Sequence, residues 1–224
     1  MLQRVLPIKT PQDDVGQKLM RTLTLDLLRH GETKAQGIYQ GITDVPLSVA
    51  GQQQMEVAMS RPVGWQNVLY SPLQRCAQAA IQVAARYGLS CAEMDWLREY
   101  DFGDWDGRTL SEVYSEQSER VDAFWRDPAN NTPPGGESIA ALQQRVLSGR
   151  DELLKASDDH LLLVTHGGVI RTLIADCLKL DPARWSHIRL DHAHFTRLRF
   201  YCDQTQSWPE LVTCNVAQLP SQAL

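Results

Sequence analysis

Leu161-Leu162-Leu163-Val164 has no polar face, and this run constrains the fold more than any other stretch of the chain. A strand that is apolar on both faces belongs to a parallel sheet covered by helices on both sides. The run stops at Thr165-His166-Gly167-Gly168 and passes into a helical pattern at Val169-Ile170-Arg171. Two earlier segments repeat the arrangement, a strand running straight into a charged turn. Leu23-Thr24-Leu25-Asp26-Leu27-Leu28 ends at Arg29-His30-Gly31-Glu32-Thr33, and Asn67-Val68-Leu69-Tyr70 ends at Ser71-Pro72-Leu73-Gln74-Arg75. Ser71 is a good N-cap and Pro72 suits a first helical position, which puts Arg75 in the first turn of a helix reaching Tyr87. If the three strands pair in parallel, their carboxyl ends open on one edge, where open α/β sheets bind ligands. Arg29, His30, Arg75 and His166 then converge beside helix N-termini whose free N–H groups also favour anions. Two arginines, two imidazoles and helix ends make a pocket for a phosphoryl group.

The remaining pattern fits an α/β three-layer sandwich, a mostly parallel central sheet with helices on both faces. Helices are expected over 48–60, 71–87, 110–126 and 138–156, and after Gly168. Short strands are expected over 90–94, 194–201 and 210–214. Gly88 is a normal helix stop. The acidic, aromatic stretch 97–107 and the breaker cluster 127–136 read as loops, of which 100–107 and 130–136 would form much of the wall around whatever a phosphoryl group is attached to. No linker or charge run divides the chain. Residues 1–22 read as an N-terminal extension and residues 23–224 as one domain.

The 224 residues carry a net charge of −5, so no global basic field suits nucleic acid or an anionic membrane. An anionic substrate would have to be drawn in by a local cationic pocket. No apolar run approaches the roughly 20 residues of a membrane span. The amino terminus lacks the apolar core of a secretory signal. Five cysteines at unrelated spacings argue against a disulfide framework and for the reducing cytoplasm. None is followed six positions later by arginine, the spacing a cysteine-nucleophile phosphatase would use. His192 and His194 would share one face of a strand, yet no ligand cluster stands near them, so a pocket wall or surface role is expected rather than a metal site. Nothing in the sequence fixes an oligomeric state.

Four motifs in order, Arg29-His30-Gly31-Glu32-Thr33, Ser71-Pro72-Leu73-Gln74-Arg75, Glu99 ahead of Gly103, and His166-Gly167, resemble the histidine phosphatase, or phosphoglycerate-mutase-like, superfamily. The resemblance covers residues 23–200. It implies that His30 is a nucleophile forming a phosphohistidine, with Arg29, Arg75 and His166 stabilising the phosphoryl oxygens. It implies that Glu99 protonates the leaving oxygen and then activates water. Asp101, Asp104 and Asp106 are rival carboxylates for that part. Gln36 stands where many members have a phosphate-touching asparagine, and Gln40, Gly41 and Gly167 complete the implied phosphate-binding set. With two arginines supplying positive charge, no metal or other cofactor is required. Glu32 reads as a capping or loop residue, and Arg171 as structural, one turn beyond the site.

Within the superfamily, residues 41–47, 100–107 and 127–138 look most like alpha-ribazole phosphatases of cobalamin assembly. That resemblance implies alpha-ribazole 5′-phosphate as the small phosphomonoester, with a broad-specificity phosphatase as the alternative. A phosphoglycerate mutase is a further alternative. It must exclude water, which usually takes longer covering segments than these loops offer. A non-catalytic binding module would be expected to have lost a core residue, and none is lost.

Overall fold

The computed structural model describes residues 21–61 and 63–219, so the first 20 residues of the expected extension lie outside it. Six strands form one sheet in the order β3-β2-β4-β1-β5-β6. They are β1 (Arg21–Arg29), β2 (Asn67–Tyr70), β3 (Ser90–Glu93), β4 (His160–Thr165), β5 (Phe195–Cys202) and β6 (Ser207–Val216). The strand begins at Arg21, so two residues assigned to the extension belong to the sheet.

The first four strands pair in parallel, β1 with β4, β4 with β2 and β2 with β3. The last two run antiparallel, β5 against β1 and β6 against β5. All six residues of β4 are buried, as its apolar run requires. In register, Arg29 lies opposite Thr165 and Tyr70 opposite Val164, which brings three strand exits to one edge. The mostly parallel sandwich expected from the sequence is therefore present, with the antiparallel pair completing one side.

Side chains alternate across a strand, and the sheet sorts its apolar residues into two cores. Leu23, Leu25, Leu27, Leu161 and Leu163 face one way. They pack on Val113 and Phe124 of α3 (Leu110–Arg126), Leu142 and Val146 of α4 (Ile139–Lys155) and Leu173 of α5 (Gly167–Cys177). Leu28, Val68, Leu162 and Val164 face the other way, onto Met55 of α1 (Val49–Ala58) and Ala80 and Val83 of α2 (Gln74–Tyr87). Small residues on one face of α2 let it lie close to the sheet. Among the described residues no helix is long and apolar enough to cross a membrane.

Three local expectations are corrected. The helix expected from Ser71 begins at Gln74, and its first N–H is capped from a distance by Asp44 Oδ1 at 2.8 Å. A carboxylate at that end satisfies both the orphan donor and the helix dipole, which releases the Ser71 hydroxyl to other work. The stretch 97–107 is not wholly irregular, since single-turn 3-10 helices span Asp95–Leu97 and Gly103–Trp105. His192 and His194 do not share a strand face; β5 starts after them, and Ala193 turns the chain at φ +54°.

Candidate active site

The exits of β1, β2 and β4 converge as the patterning requires. His30 leaves β1 almost fully buried, and its ring centroid is 5.1 Å from that of His166 at the exit of β4, planes inclined by 62°. Nδ1 of His30 lies 2.8 Å from the Gly31 carbonyl. A carbonyl only accepts, so Nδ1 carries the proton and Nε2 keeps its lone pair. Burial, then the charges of Arg75 and Arg29, hold the His30 pKa well below the ordinary imidazole value. The ring is therefore neutral at physiological pH.

Gly31 presses on α1 so closely that a Cβ there would overlap the Gly51 carbonyl, and a Cβ at Gly51 would overlap that of Glu32. These two glycines lock the residues after His30 onto the helix. Glu32 accepts from the Ser48 hydroxyl at 2.9 Å, and Ser48 caps α1. Its place is therefore the helix cap, as the sequence suggests.

Arg29 donates from Nη1 to the Leu190 carbonyl at 2.5 Å, while its Nε is buried with no partner among the described residues. Arg75 is fully buried, held by the carbonyls of Gly41 at 2.6 Å and Thr43 at 2.9 Å. Its Nε lies 3.3 Å from His166 Nδ1. Guanidinium N–H can only donate, so Nδ1 accepts and the His166 proton sits on Nε2, which faces Ser71 Oγ at 2.6 Å. Burial first, then Arg75, push the His166 pKa well below its usual value. In this state His166 buttresses the Arg75 guanidinium with both ring nitrogens engaged.

Glu99 is 9% exposed, and its carboxylate accepts the Tyr100 N–H at 2.8 Å and the Gly168 N–H at 3.0 Å at the start of α5. The rival carboxylates are used elsewhere. Asp106 accepts the N–H groups of Ile42 and Thr43 and the Thr43 hydroxyl. Asp101 accepts the Gly103 N–H, and Asp104 lies against Gly135. Of the four carboxylates, Glu99 is the one that reaches the strand exits.

The two glutamines separate. Gln36 is exposed and donates one amide hydrogen to the Thr33 carbonyl at 3.0 Å. Gln40 accepts from the Thr33 hydroxyl at 2.8 Å, which leaves its Nε2 buried without a partner among the described residues. Gly41 packs against the Tyr100 carbonyl and Asp106, where a side chain would not fit. Gly167 is flanked by Arg171 Nη1 and Arg29 Nε, 3.0 and 3.7 Å from where its Cβ would stand.

Loops 100–107 and 130–136 pack on one another through Asp104 N–H to the Pro134 carbonyl at 2.8 Å. Of three further neighbours, His192 takes a pocket-wall place that the sequence allowed it, whereas the places of Arg145 and Arg171 escape a local reading. The His192 ring lies 5.4 Å from His30, and burial pushes its pKa down to about 4. Arg145 clasps Glu137 and donates to the carbonyls of Trp96 and Arg98, behind Glu99. Arg171 reaches back to Gly167 rather than lying beyond the site. The four-residue spacing of Arg171 from Gly167 could have been read in advance, since helix side chains lean toward the N-terminus.

The sequence profile of the histidine phosphatase superfamily (branch 1) matches residues 25–210. A bifunctional protein of Mycobacterium tuberculosis is 33% identical over 187 residues, 81% of this chain and 51% of that protein. The chain thus spans about half the length of the first curated relatives it matches. An adenosylcobalamin/alpha-ribazole phosphatase of Salmonella typhimurium is 33% identical over 174 residues, 75% of this chain and 86% of the relative. The solved structure of a mycobacterial glucosyl-3-phosphoglycerate phosphatase superposes with a TM-score of 0.77 at 29% identity, covering 88% of this chain and all of that one.

Proposed function

Because the chain belongs to the histidine phosphatase superfamily, we propose that it is a phosphomonoesterase working through a phosphohistidine on His30. The observation that carries this reading is the buried Nε of Arg29, without a partner among the described residues, beside the neutral His30 ring. A buried cationic donor without an acceptor is costly unless an anion completes it. A phosphoryl oxygen does so.

In the first step His30 Nε2 attacks phosphorus in line, the P–O ester bond breaks, and the alcohol oxygen leaves with a proton from Glu99. Arg29 and Arg75 take the charge that spreads over the equatorial oxygens. Both are fixed in advance, so little reorganisation accompanies the step. His166 orients Arg75, and the buried Gln40 Nε2 is a better placed donor to phosphate than the exposed Gln36. Gly41 and Gly167 contribute backbone and absence of bulk. In the second step water attacks the phosphohistidine, Glu99 takes its proton, the P–N bond breaks and neutral His30 returns. The arginines supply the positive charge, so neither step requires a metal.

The substrate is a small phosphomonoester. Alpha-ribazole 5′-phosphate is one candidate, and relatives named for it and for glucosyl-3-phosphoglycerate match at similar identity. The test is phosphate release from alpha-ribazole 5′-phosphate, 3-phosphoglycerate and p-nitrophenyl phosphate with EDTA present. Release from at least one, lost in His30→Ala at unchanged melting temperature, supports the reading. Absence of release from all three, or retained turnover in the variant, overturns it; an isomerised acid without free phosphate points to a mutase.

A further inference from the structure

Arg171 lies in α5 and its side chain runs back toward the strand exits. Its Nε donates to the Ile188 carbonyl at 2.9 Å, and its guanidinium carbon stands 5.4 Å over the Trp185 ring. These contacts fix the plane of the group while using one of its five N–H donors. Among the described residues the terminal nitrogens take no hydrogen bond. Nη1 instead comes beside Gly167, on the side where Arg29 Nε also lies. Burial lowers the pKa of Arg171 and the charge of Glu99 opposes that effect, so the guanidinium shares its surroundings with the carboxylate. Arg29 in turn feels Arg171 as a like charge.

A third partly buried cation exceeds what the phosphoryl group needs. Arg29 and Arg75 already balance a phosphomonoester dianion. Glu99 is uncharged when it holds the proton for the leaving oxygen, so Arg171 then stands unmatched. In that reading Glu99 also marks the side on which the alcohol departs, and Arg171 stacks on Trp185, whose ring packs with Glu99 Oε1 around Gly168. A fork of free guanidinium donors with a fixed plane suits a carboxylate. Resting on the phosphohistidine reading above, we infer that Arg171 recognises a carboxylate on the alcohol of the substrate, so that phosphomonoesters of hydroxy acids are preferred over those of uncharged alcohols.

The test compares 3-phosphoglycerate with glycerol 1-phosphate, which differ in having a carboxylate or a hydroxymethyl group. For the wild-type chain kcat/KM should favour the acid. Arg171→Met should collapse that preference roughly tenfold to a hundredfold, the worth of a charge-assisted contact. Arg171→Lys should restore part of it. The ratio of two substrates on one sample does not depend on how much of the variant is folded. The inference is overturned if the wild type shows no preference for the acid, or if Arg171→Met slows both substrates equally. Equal slowing would mean that Arg171 only holds the 188 turn or serves Glu99. Wild-type turnover of p-nitrophenyl phosphate alone also rejects this inference while leaving the phosphatase reading intact. No turnover of any ester rejects both.

Discussion

Glu99 and Gly168 are fitted to one another: the carboxylate receives the Gly168 N–H at 3.0 Å, and a Cβ on residue 168 would overlap Oε1. The tight side includes Trp185 and the Tyr100 Cβ, at 3.2 and 3.3 Å from that point, so the helix start has no room to shift. Gly168→Ala should displace Glu99 without touching phosphate. General acid–base groups contribute about 10²–10⁴ in rate, and kcat for a poor leaving group should fall within that range. Because p-nitrophenol leaves without a proton, formation of the phosphohistidine from p-nitrophenyl phosphate should be affected far less. Rapid-quench trapping of the phosphoenzyme checks this, and an equal loss on both kinds of ester would contradict it.

Three histidines of the site, His30, His166 and His192, have pKa values held down chiefly by burial. Each takes up a proton near pH 6.5 when unfolded but not when folded. Below that pH the unfolded chain binds more protons, so stability falls as pH drops from about 6.5 toward 4.5. The limiting slope is about 1.4 kcal/mol per pH unit for each such histidine. Urea unfolding at pH 6.5, 5.5 and 4.5 measures it, and His166→Asn should flatten the slope by about one proton. A slope unchanged by that variant would refute the assignment of His166 as a buried neutral ring. The same logic keeps His30 neutral well below pH 6.5, so the acid limb of kcat/KM should not follow free imidazole.

The sequence carries the sheet edge and its occupants because they are local. A strand and a charged or imidazole side chain fall within ten positions of one another at Arg29, Arg75 and His166, and a glycine follows closely at the first and the last. What escapes it joins distant segments. Asp44 caps α2 from 30 residues away and leaves Ser71 to hold His166, so the good local cap at Ser71 misleads. His192 faces His30 only because Ala193 donates its N–H to the carbonyls of both Arg29 and His30. What sets Glu99 apart from the other three nearby carboxylates is its bond from Gly168, a contact that spans 69 residues.

Arg145 ties Glu137 to the backbone that precedes Glu99. Its donors reach both Glu137 oxygens, at 3.0 and 2.8 Å, and the Trp96 and Arg98 carbonyls, each at 2.9 Å. Both charged partners are mostly buried, 16% and 15% exposed. Arg145→Met leaves Glu137 without its partner and frees the 97–101 segment. We expect a loss of about 3 kcal/mol in stability. Activity at a temperature where the variant is folded should also fall, through kcat more than KM, because the phosphate cradle is untouched. Double replacement with Glu137→Leu should recover part of the stability and none of the positioning of Glu99.

Asp26 lies at the middle of β1, away from the strand exits, with no exposed surface. It accepts from Arg197 at 2.6 and 2.9 Å, from His160 at 2.8 Å and from Trp65 at 2.7 Å. Burial opposes its charge, but the hydrogen bonds and charges of Arg197 and His160 prevail and hold its pKa below the ordinary carboxylate value. A depressed acid pKa contributes stability above the unfolded value of about 3.9 that is lost as pH falls through the folded one. Asp26→Ala strands the Arg197 guanidinium inside the sheet, and removal of one partner from such a pair costs about 3–5 kcal/mol. Asp26→Asn keeps the shape and some acceptors and should cost less. Neither change reaches His30, so kcat of the folded fraction should stay near the wild-type value. Denaturant unfolding beside steady-state kinetics separates the two effects, and a lost kcat in well-folded Asp26→Asn would show that this network shapes the site.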